Sequence, residues 1–481
     1  MIRAATSATA GSSAATLPWL SRSNGTLCAI LLAAAVIRFL AAAGDLALDE
    51  IWSLDFVRNH LHHFLGVFSF RHDNNHLLNT MILALLGADL PGLWYRIPAV
   101  IASIASVWLA GLIAARRHGK VGTIIASLVT GGSYLMILYG SEARGYAYAV
   151  LFAYLAWWSL VRLVENGHRI DAVVFTCSSC LGLLAHLTFV YCYAGFCLFT
   201  LWKFIQRPRW DLVLVHLPPL VVVAVLFLWF VPGMSIGGGP ETSTLAAIST
   251  TVSMVGGGPL SGDVALVVGI VLVLLLVYGL AVQWQTDAAA TMCLSITIFM
   301  VPAAALALTG HSIIYPRYFL IPIVFALLVI SDTLAHWWRC GGSHRPFVLL
   351  MLVAVGIGNG LWTWSLLDHG RGNYSATIRW MAHNSDRTLS TIASDHDFRN
   401  GMVIDYYLKR LWSVDPPLRY ISHAEFPPQG TDWLIRHSFE GDPPMNSLQI
   451  DPFGNRYQLE RTDQNRSVTG WNWWIYRRQP R

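Results

Sequence analysis

Charge is what this chain has least of. Only 12% of its 481 residues are Asp, Glu, Lys or Arg, while 55% are hydrophobic. A water-soluble domain carries about 25% charge, so most of this chain faces lipid or other apolar helices. No basic block is dense enough to suggest nucleic acid as a partner. Cysteine is just as uninformative. Seven are present, without the spacing of a disulfide framework. Cys177 and Cys180 make a C-x-x-C inside an apolar stretch, but no second pair completes a zinc site. No cysteine follows Cys340, so the end of the chain neither needs an oxidising compartment nor forbids one.

The charge that is present is unevenly spread. Close to half of it lies at or beyond Asp368, so the last quarter reads as a water-soluble domain following a membrane domain. Three regions are expected: a disordered cytoplasmic tail over 1–25, a transmembrane domain over 26–366, and a soluble extracytoplasmic domain over 367–481. Thr26 to Ala43 is long enough to cross a bilayer, with Arg38 near its far end. Ala41, Ala42 and Ala43 mimic a signal-peptidase site, yet the polar leader is long for a signal peptide, which favours an uncleaved anchor. Further apolar runs occupy 97–115, 121–138, 146–163, 170–187, 188–204, 212–230, 264–282, 288–308, 318–334 and 347–366. They predict a polytopic helical protein of about eleven transmembrane helices, the fifth and sixth separated only by Ala185 and His186.

Orientation follows from Lys and Arg. With the N-terminus inside, the inner loops hold Arg116, Arg117, Lys120, Arg162, Arg169, Lys203, Arg207, Arg209, Arg339 and Arg345. The outer loops hold only Arg58, Arg71, Arg96, Arg144 and Arg317. This two-to-one bias places the C-terminal domain outside. In the outer loop 44–95, Ile51, Leu54, Val57, Leu61 and Phe64 recur at helical spacing, which predicts an amphipathic helix lying on the membrane. A second short helix is expected from His76 to Leu86. The glycine-rich stretches Gly237–Pro240 and Gly256–Pro259 suggest a flexible lid. The C-terminal domain reads as a small α/β unit, with a helix over Met402–Trp412 and strands at Trp433–Arg436, Tyr457–Glu460 and Trp473–Tyr476.

In this topology the polar residues nearest the membrane gather on one side. Asp49 and Glu50 follow the first span. Arg71, His72, Asp73, Asn74, Asn75 and His76 open the second outer helix, and Arg96 opens the next span. Tyr139 to Tyr146, with Glu142 and Arg144, fills one turn; His186 ends a helix; His311 to Tyr318, with Arg317, precedes another. Five such clusters suggest a cavity opening outward. Each also has a plainer explanation. Asp49 and Glu50 suit the positive end of a helix dipole, and Glu142 and Arg144 suit one another as an ion pair. Arg317 and Tyr318 suit an interfacial anchor. His72 and His76 share a helical face at metal-ligand spacing, but outside an H-E-x-x-H pattern capping or solvation is the commoner role.

Taken in order, these residues resemble the GT-C superfamily of integral-membrane glycosyltransferases, in particular the family 39-like group that includes protein O-mannosyltransferases and the lipid A aminoarabinose transferase. The resemblance rests on Asp49-Glu50, Asn75-His76, Arg96-Ile97-Pro98, Ser141 to Tyr146, and Arg317 to Pro322. It implies a GT-C fold and transfer of a sugar, with inversion, from a polyprenyl phosphate on the extracytoplasmic face of the cell membrane. No nucleotide-binding domain is visible, and a lipid-phosphate donor needs none. By resemblance Asp49 is the base, with Glu50 supporting or sharing that role. Arg144 and Arg317 contact the donor phosphate, with Tyr318 and Arg96 beside them. Asp73, Asn75, His76, Glu142 and Tyr146 fall to the acceptor or cavity. The acceptor is a glycan, lipid or protein. Asn74-Asn75-His76 stands where the group often has His-Pro-Pro, which puts the acceptor pocket in doubt. Some relatives hold a divalent metal, for which His72, His76 and His186 are the weak candidates. The competing class is a transporter or flippase for lipid-linked sugars, which would favour midplane polar groups and inverted repeats; a non-catalytic scaffold with the same fold is a third.

Overall fold

A computed structural model describes residues 20–87, 89–237, 243–309, 314–386, 388–412, 414–439, 442–465 and 470–480. Among them, nine helical segments are long and apolar enough to cross a membrane. The first is α1 (Leu20–Ala42), whose start shortens the tail expected over 1–25; residues 1–19 lie outside the described part. Short helices α2 (Leu48–Asn59) and α3 (Leu77–Leu86) follow.

The next element explains why nine segments can match an expectation of about eleven. Helix α4 (Gly92–Gly132) contains Gly119 at φ 57° and ψ −138°, a left-handed conformation that ends one helix and starts another. Its two arms run back along each other: Ser127 Oγ bonds the Val107 carbonyl at 3.3 Å. Gly122 makes this possible, because a Cβ there would sit 2.5 Å from the Ala114 carbonyl oxygen. Helix α5 (Tyr134–Gly140) extends the second arm and α6 (Tyr146–Asn166) returns. Helix α7 (Arg169–Ala185), at 17 residues, is an apolar segment just below crossing length, and α8 (Val190–Gln206) follows. Counting both arms of α4 and including α7 recovers the eleven apolar runs of the sequence. The remaining long segments are Trp210–Gly233, Asp263–Trp284, Ala288–Leu308, Pro316–Cys340 and the helix His344–His369.

The C-terminal part is built on one mixed sheet of six strands in the order β2-β1-β3-β6-β5-β4. The strands are β1 (Ser390–Ser394), β2 (Leu418–Tyr420), β3 (Trp433–Ser438), β4 (Leu448–Ile450), β5 (Arg456–Asp463) and β6 (Asn472–Arg478). β1 runs parallel to β2 and β3, while β6 lies antiparallel to β3 and β5. The three strands and the helix read from the sequence are all present, each strand longer than its alternating core.

The structure corrects the expectation that α2 lies on the membrane. Leu48, Ile51 and Leu54 are buried in one core with Ile378, Val403, Ile404, Tyr407 and Trp433 of the C-terminal part. Helical spacing gives α2 an apolar face, and protein rather than lipid covers it. Below this layer, Arg38 is wholly buried between α1 and α4, where Nε donates to Ser103 Oγ at 2.7 Å. A buried guanidinium of this kind persists only with such partners.

Candidate active site

The site starts at the first turn of α2. Ala47 is the N-cap, so Asp49 and Glu50 both fall where helix N–H groups are unpaired and negative charge is favoured. From there the two side chains part company. Glu50 turns inward and is completely buried. Its Oε2 accepts from the Ala47 N–H at 2.9 Å and from Arg96 Nη2 at 2.6 Å; its Oε1 accepts from Arg96 Nε and from the Ala143 N–H. Burial works to raise the Glu50 pKa, and the Arg96 guanidinium outweighs it, holding the carboxyl down to about 2.

Arg96 completes that arrangement. Nη1 donates to the backbone carbonyls of Ala42 and Gly44, and Nη2 to that of Asp45. All five N–H groups are thereby engaged and the residue is fully buried. The expectation that Arg96 contacts a donor phosphate is therefore corrected: no N–H is left for one. Glu50 and Arg96 together fix the start of α2 onto α4 and the α5–α6 turn, which makes them positioning residues.

Asp49 points the other way. Its Oδ2 lies 2.7 Å from Arg144 Nη1 and 3.2 Å from Arg317 Nη1, and its side chain keeps 29% of its surface exposed. The two arginines come from the α5–α6 turn and from the 3₁₀ turn Pro316–Phe319. Among the described residues Oδ1 has no protein partner. Tyr315 and Tyr318 lie under the Arg317 guanidinium, at 4.3 and 5.7 Å from its central carbon. Tyr146 lies under Arg144 at 4.9 Å. The aromatic faces keep both cations in place without neutralising them.

Two residues to which the sequence reading gave no role of their own help build the site. Asn74 bonds through Nδ2 to the Asp49 carbonyl at 3.0 Å and through Oδ1 to Arg144 Nη2 at 2.8 Å. Its neighbour Asn75 uses Nδ2 on the carbonyls of Val67 and Phe70, and Oδ1 on Thr80, so it shapes the loop. Arg371 was hidden among surface charges, yet it is 1% exposed and reaches Glu142 at 3.3 Å, the Ala41 and Leu138 carbonyls, and Ser141 Oγ. Glu142 thus pairs with Arg371 rather than with Arg144. Burial holds the Glu142 pKa above its usual range, with Arg371 working against that. An unmatched Arg flanked by two glycines, Gly370 and Gly372, was the available signal.

Beside the arginines lies a cavity of about 240 Å³ whose lining includes His72, Asp73, Asn75, His76, His186 and Tyr318, closed by Leu183, Phe230 and Ile236. Asp73 accepts from the Gly237 N–H at 3.0 Å and meets His72 Nδ1 at 2.7 Å. Burial would raise its pKa; the His72 and Gly237 bonds outweigh this and lower it. Of the expected lid, 238–240 lie outside the described residues, as does His311, and Gly256–Pro259 is no free flap: Trp362 Nε1 donates to the Gly258 carbonyl at 3.0 Å and Ser253 Oγ to the Pro259 carbonyl at 2.8 Å. The His76 and His186 rings stand 4.8 Å apart. Burial first, then the Arg144 charge, pushes His76 well below its usual pKa and His186 down to about 3, so both are neutral imidazoles. His76 Nε2 is buried without a partner. Even so, no three His, Cys, Asp or Glu side chains among the described residues are grouped to hold a metal. Two adjacent imidazoles do not make a metal site.

The charge balance follows. Glu50 cancels Arg96 and Glu142 cancels Arg371, whereas one Asp49 faces two arginines. With Asp73 on the same wall the carboxylates match the arginines in number, yet both guanidiniums converge on one Asp49 oxygen, a geometry suited to an anion with paired oxygens.

These observations define a multi-pass helical membrane protein of the GT-C type of fold, with a small C-terminal sheet. Among solved structures it is similar to the apo form of ArnT from Cupriavidus metallidurans, at a TM-score of 0.52 and 11% identity, over 95% of this chain and 98% of that one. A structure of the same ArnT bound to undecaprenyl phosphate aligns over 96% and 98% at a TM-score of 0.49 and 11% identity. The Archaeoglobus fulgidus oligosaccharyltransferase, in complex with Zn and sulfate, aligns over 85% of this chain and 68% of that one, at a TM-score of 0.49 and 12% identity. No protein-family model matches the sequence, and no curated protein matches it.

Proposed function

We propose that the chain is an inverting glycosyltransferase, moving a sugar from a polyprenyl-phosphate donor to an acceptor hydroxyl on a lipid, glycan or protein at the outer face of the cell membrane. The observation that carries this reading is the single carboxylate oxygen of Asp49 shared by Arg144 and Arg317. A donor phosphate supplies paired oxygens for the two guanidiniums that converge there. As it docks, it competes with Asp49 for the two guanidiniums and loosens their hold on the carboxylate.

In this reading the chemistry is a single displacement. Asp49 Oδ1 accepts the proton of the acceptor hydroxyl as its oxygen attacks the anomeric carbon. The bond from that carbon to the phosphate oxygen breaks on the opposite face, and both of its electrons leave with the phosphate. Arg144 and Arg317 stabilise the departing charge. One displacement inverts the anomeric centre. The neutral His76 and His186 lie along the cavity wall, where they hydrogen-bond without adding charge.

The test is mass spectrometry of glycolipids and cell-surface glycans from cells with and without the intact gene, followed by transfer in vitro from a polyprenyl-phosphate sugar to the acceptor so found. Loss of one glycosylated species, restored by the gene and formed by purified protein, supports the reading. Movement of the donor across vesicles without transfer would favour a flippase instead.

A further inference from the structure

A second cavity, of about 630 Å³, lies at the other end of the helices. Arg117 on its wall stands on the same arm of α4 as Arg96, roughly 32 Å further along at 1.5 Å per residue. That is about one bilayer thickness from Asp49, so the cavity belongs to the opposite membrane surface. Nothing in the proposed transfer uses it.

Its depth is apolar, with Leu112, Leu294 and Leu328, and its mouth is charged. Trp158 stands between two cations, the Arg116 guanidinium 5.2 Å and the Arg162 guanidinium 5.7 Å from its ring centre. Arg162 uses only Nε, on Asp171 at 2.9 Å; among the described residues its two terminal nitrogens have no protein partner and its side chain is 35% exposed. Arg116 bonds Glu165 through one nitrogen. A carboxylate waits on the other side. Asp287 Oδ1 caps the helix that follows it by accepting from the Ala290 N–H at 3.1 Å. Two cations face Asp287 from beyond hydrogen-bond length, Lys203 Nζ 3.8 Å from Oδ1 and Arg117 3.9 Å from Oδ2, so among the described residues Oδ2 accepts no hydrogen bond. Asp332 is fully used by Arg117 and His118.

The mouth therefore offers open guanidinium donors and, on Asp287, one carboxylate oxygen without a hydrogen bond among the described residues, above an apolar shaft. Counting Arg116, Arg117, Arg162 and Lys203 against Glu165, Asp171, Asp287 and Asp332, which they face, the charges cancel. A purely anionic headgroup would draw the arginines away and leave the carboxylates uncompensated. A zwitterion satisfies both signs. A quaternary ammonium has no N–H for Asp287, whereas a primary ammonium has three.

We propose that this cavity binds a zwitterionic phospholipid bearing a primary ammonium, its phosphate on Arg116 and Arg162, its ammonium on Asp287, and an acyl chain along Leu112 and Leu294. The purified full chain is reconstituted in nanodiscs of equal phosphatidylethanolamine, phosphatidylglycerol and phosphatidylcholine, re-extracted mildly, and its retained lipids are counted by mass spectrometry. Phosphatidylethanolamine should be enriched roughly fivefold over either competitor, as partly exposed ion pairs allow. Asp287→Asn keeps the helix cap, because Asn caps as well as Asp. It should abolish the preference for ethanolamine over choline while phospholipid is still retained. Arg162→Gln should lower retention of all three. Equal retention by the unaltered protein, a preference for phosphatidylglycerol, or an ethanolamine preference untouched by Asp287→Asn overturns the proposal. If Asp287→Asn does not fold, the half-exposed Arg162→Gln decides: retention equal to that of the unaltered protein overturns it.

Discussion

Asn74 joins Asp49 to Arg144. Its amide nitrogen donates to the Asp49 carbonyl at 3.0 Å, and its amide oxygen accepts from the guanidinium at 2.8 Å. Asp49 therefore meets Arg144 twice, directly through its carboxylate and through a neutral bridge to its backbone carbonyl. Removing the bridge as Asn74→Ala frees Arg144 to swing, since a hydrogen bond to a charged group contributes about 1.5–3 kcal/mol. Donor affinity should fall roughly tenfold or more, measured as binding of undecaprenyl phosphate to purified protein. Unaltered affinity would make Asn74 a loop residue only.

The adjacent carboxylates should separate cleanly by assay. Asp49→Asn should leave the protein folded and able to bind donor, with transfer lower by roughly two to four orders of magnitude. Glu50→Gln should instead lose stability, by about 3 kcal/mol, because Arg96 is left buried beside a neutral amide. Thermal unfolding of both variants next to their transfer rates checks this. Near-normal transfer by folded Asp49→Asn would remove it as the base.

Arg317→Lys keeps the charge and loses the fork. Because Arg317 is proposed to hold phosphate through paired donors, affinity for the lipid phosphate should drop roughly tenfold. Titration of the donor against both proteins is the measurement; equal affinity would place the phosphate elsewhere.

Acid should weaken the fold through the histidines. His186, faced by Arg144, Arg317, Asp73 and His76, has its pKa pushed from 6.5 to about 3, first by burial and then by the arginines. The unfolded chain then binds more protons than the folded one between these values. Stability is full above about pH 6.5 and is lost as pH falls toward 3. Glu50 adds its own loss only between 4.5 and about 2. Unfolding midpoints between about pH 7 and pH 5 should therefore decline, and His186→Asn should flatten that decline. A profile unchanged by His186→Asn would contradict the assignment.

Topology is tested apart from chemistry. With the N-terminus cytoplasmic and an odd number of crossings, reporters fused at Gly341 and Arg481 should lie on opposite sides of the membrane. The same side for both would overturn the arrangement.

The sequence made legible whatever depends on runs and on order. Apolar stretches marked the helices, and Asp49, Arg144 and Arg317 stood out as charges at their ends. Partnerships were not legible, because they join residues far apart in the chain. Glu50 meets Arg96 across 46 positions and Arg371 meets Glu142 across 229. Nothing in Asn74-Asn75 said which amide would face the arginine; that follows from a turn closed by the Asn75 N–H on the His72 carbonyl. Likewise the periodicity of α2 declared an apolar face without saying what would cover it. Lipid and a folded neighbour demand the same side chains.

Arg371 bears on where this molecule can be divided. Composition invites a cut near residue 367, between an oily half and a watery one. The guanidinium just past that point reaches back to the carbonyls of Ala41 and Leu138 and faces the buried Glu142. A chain ended there keeps the carboxylate and loses its counter-charge. The membrane half is thus electrostatically incomplete by itself, and its last required residue sits on the far side of the apparent border.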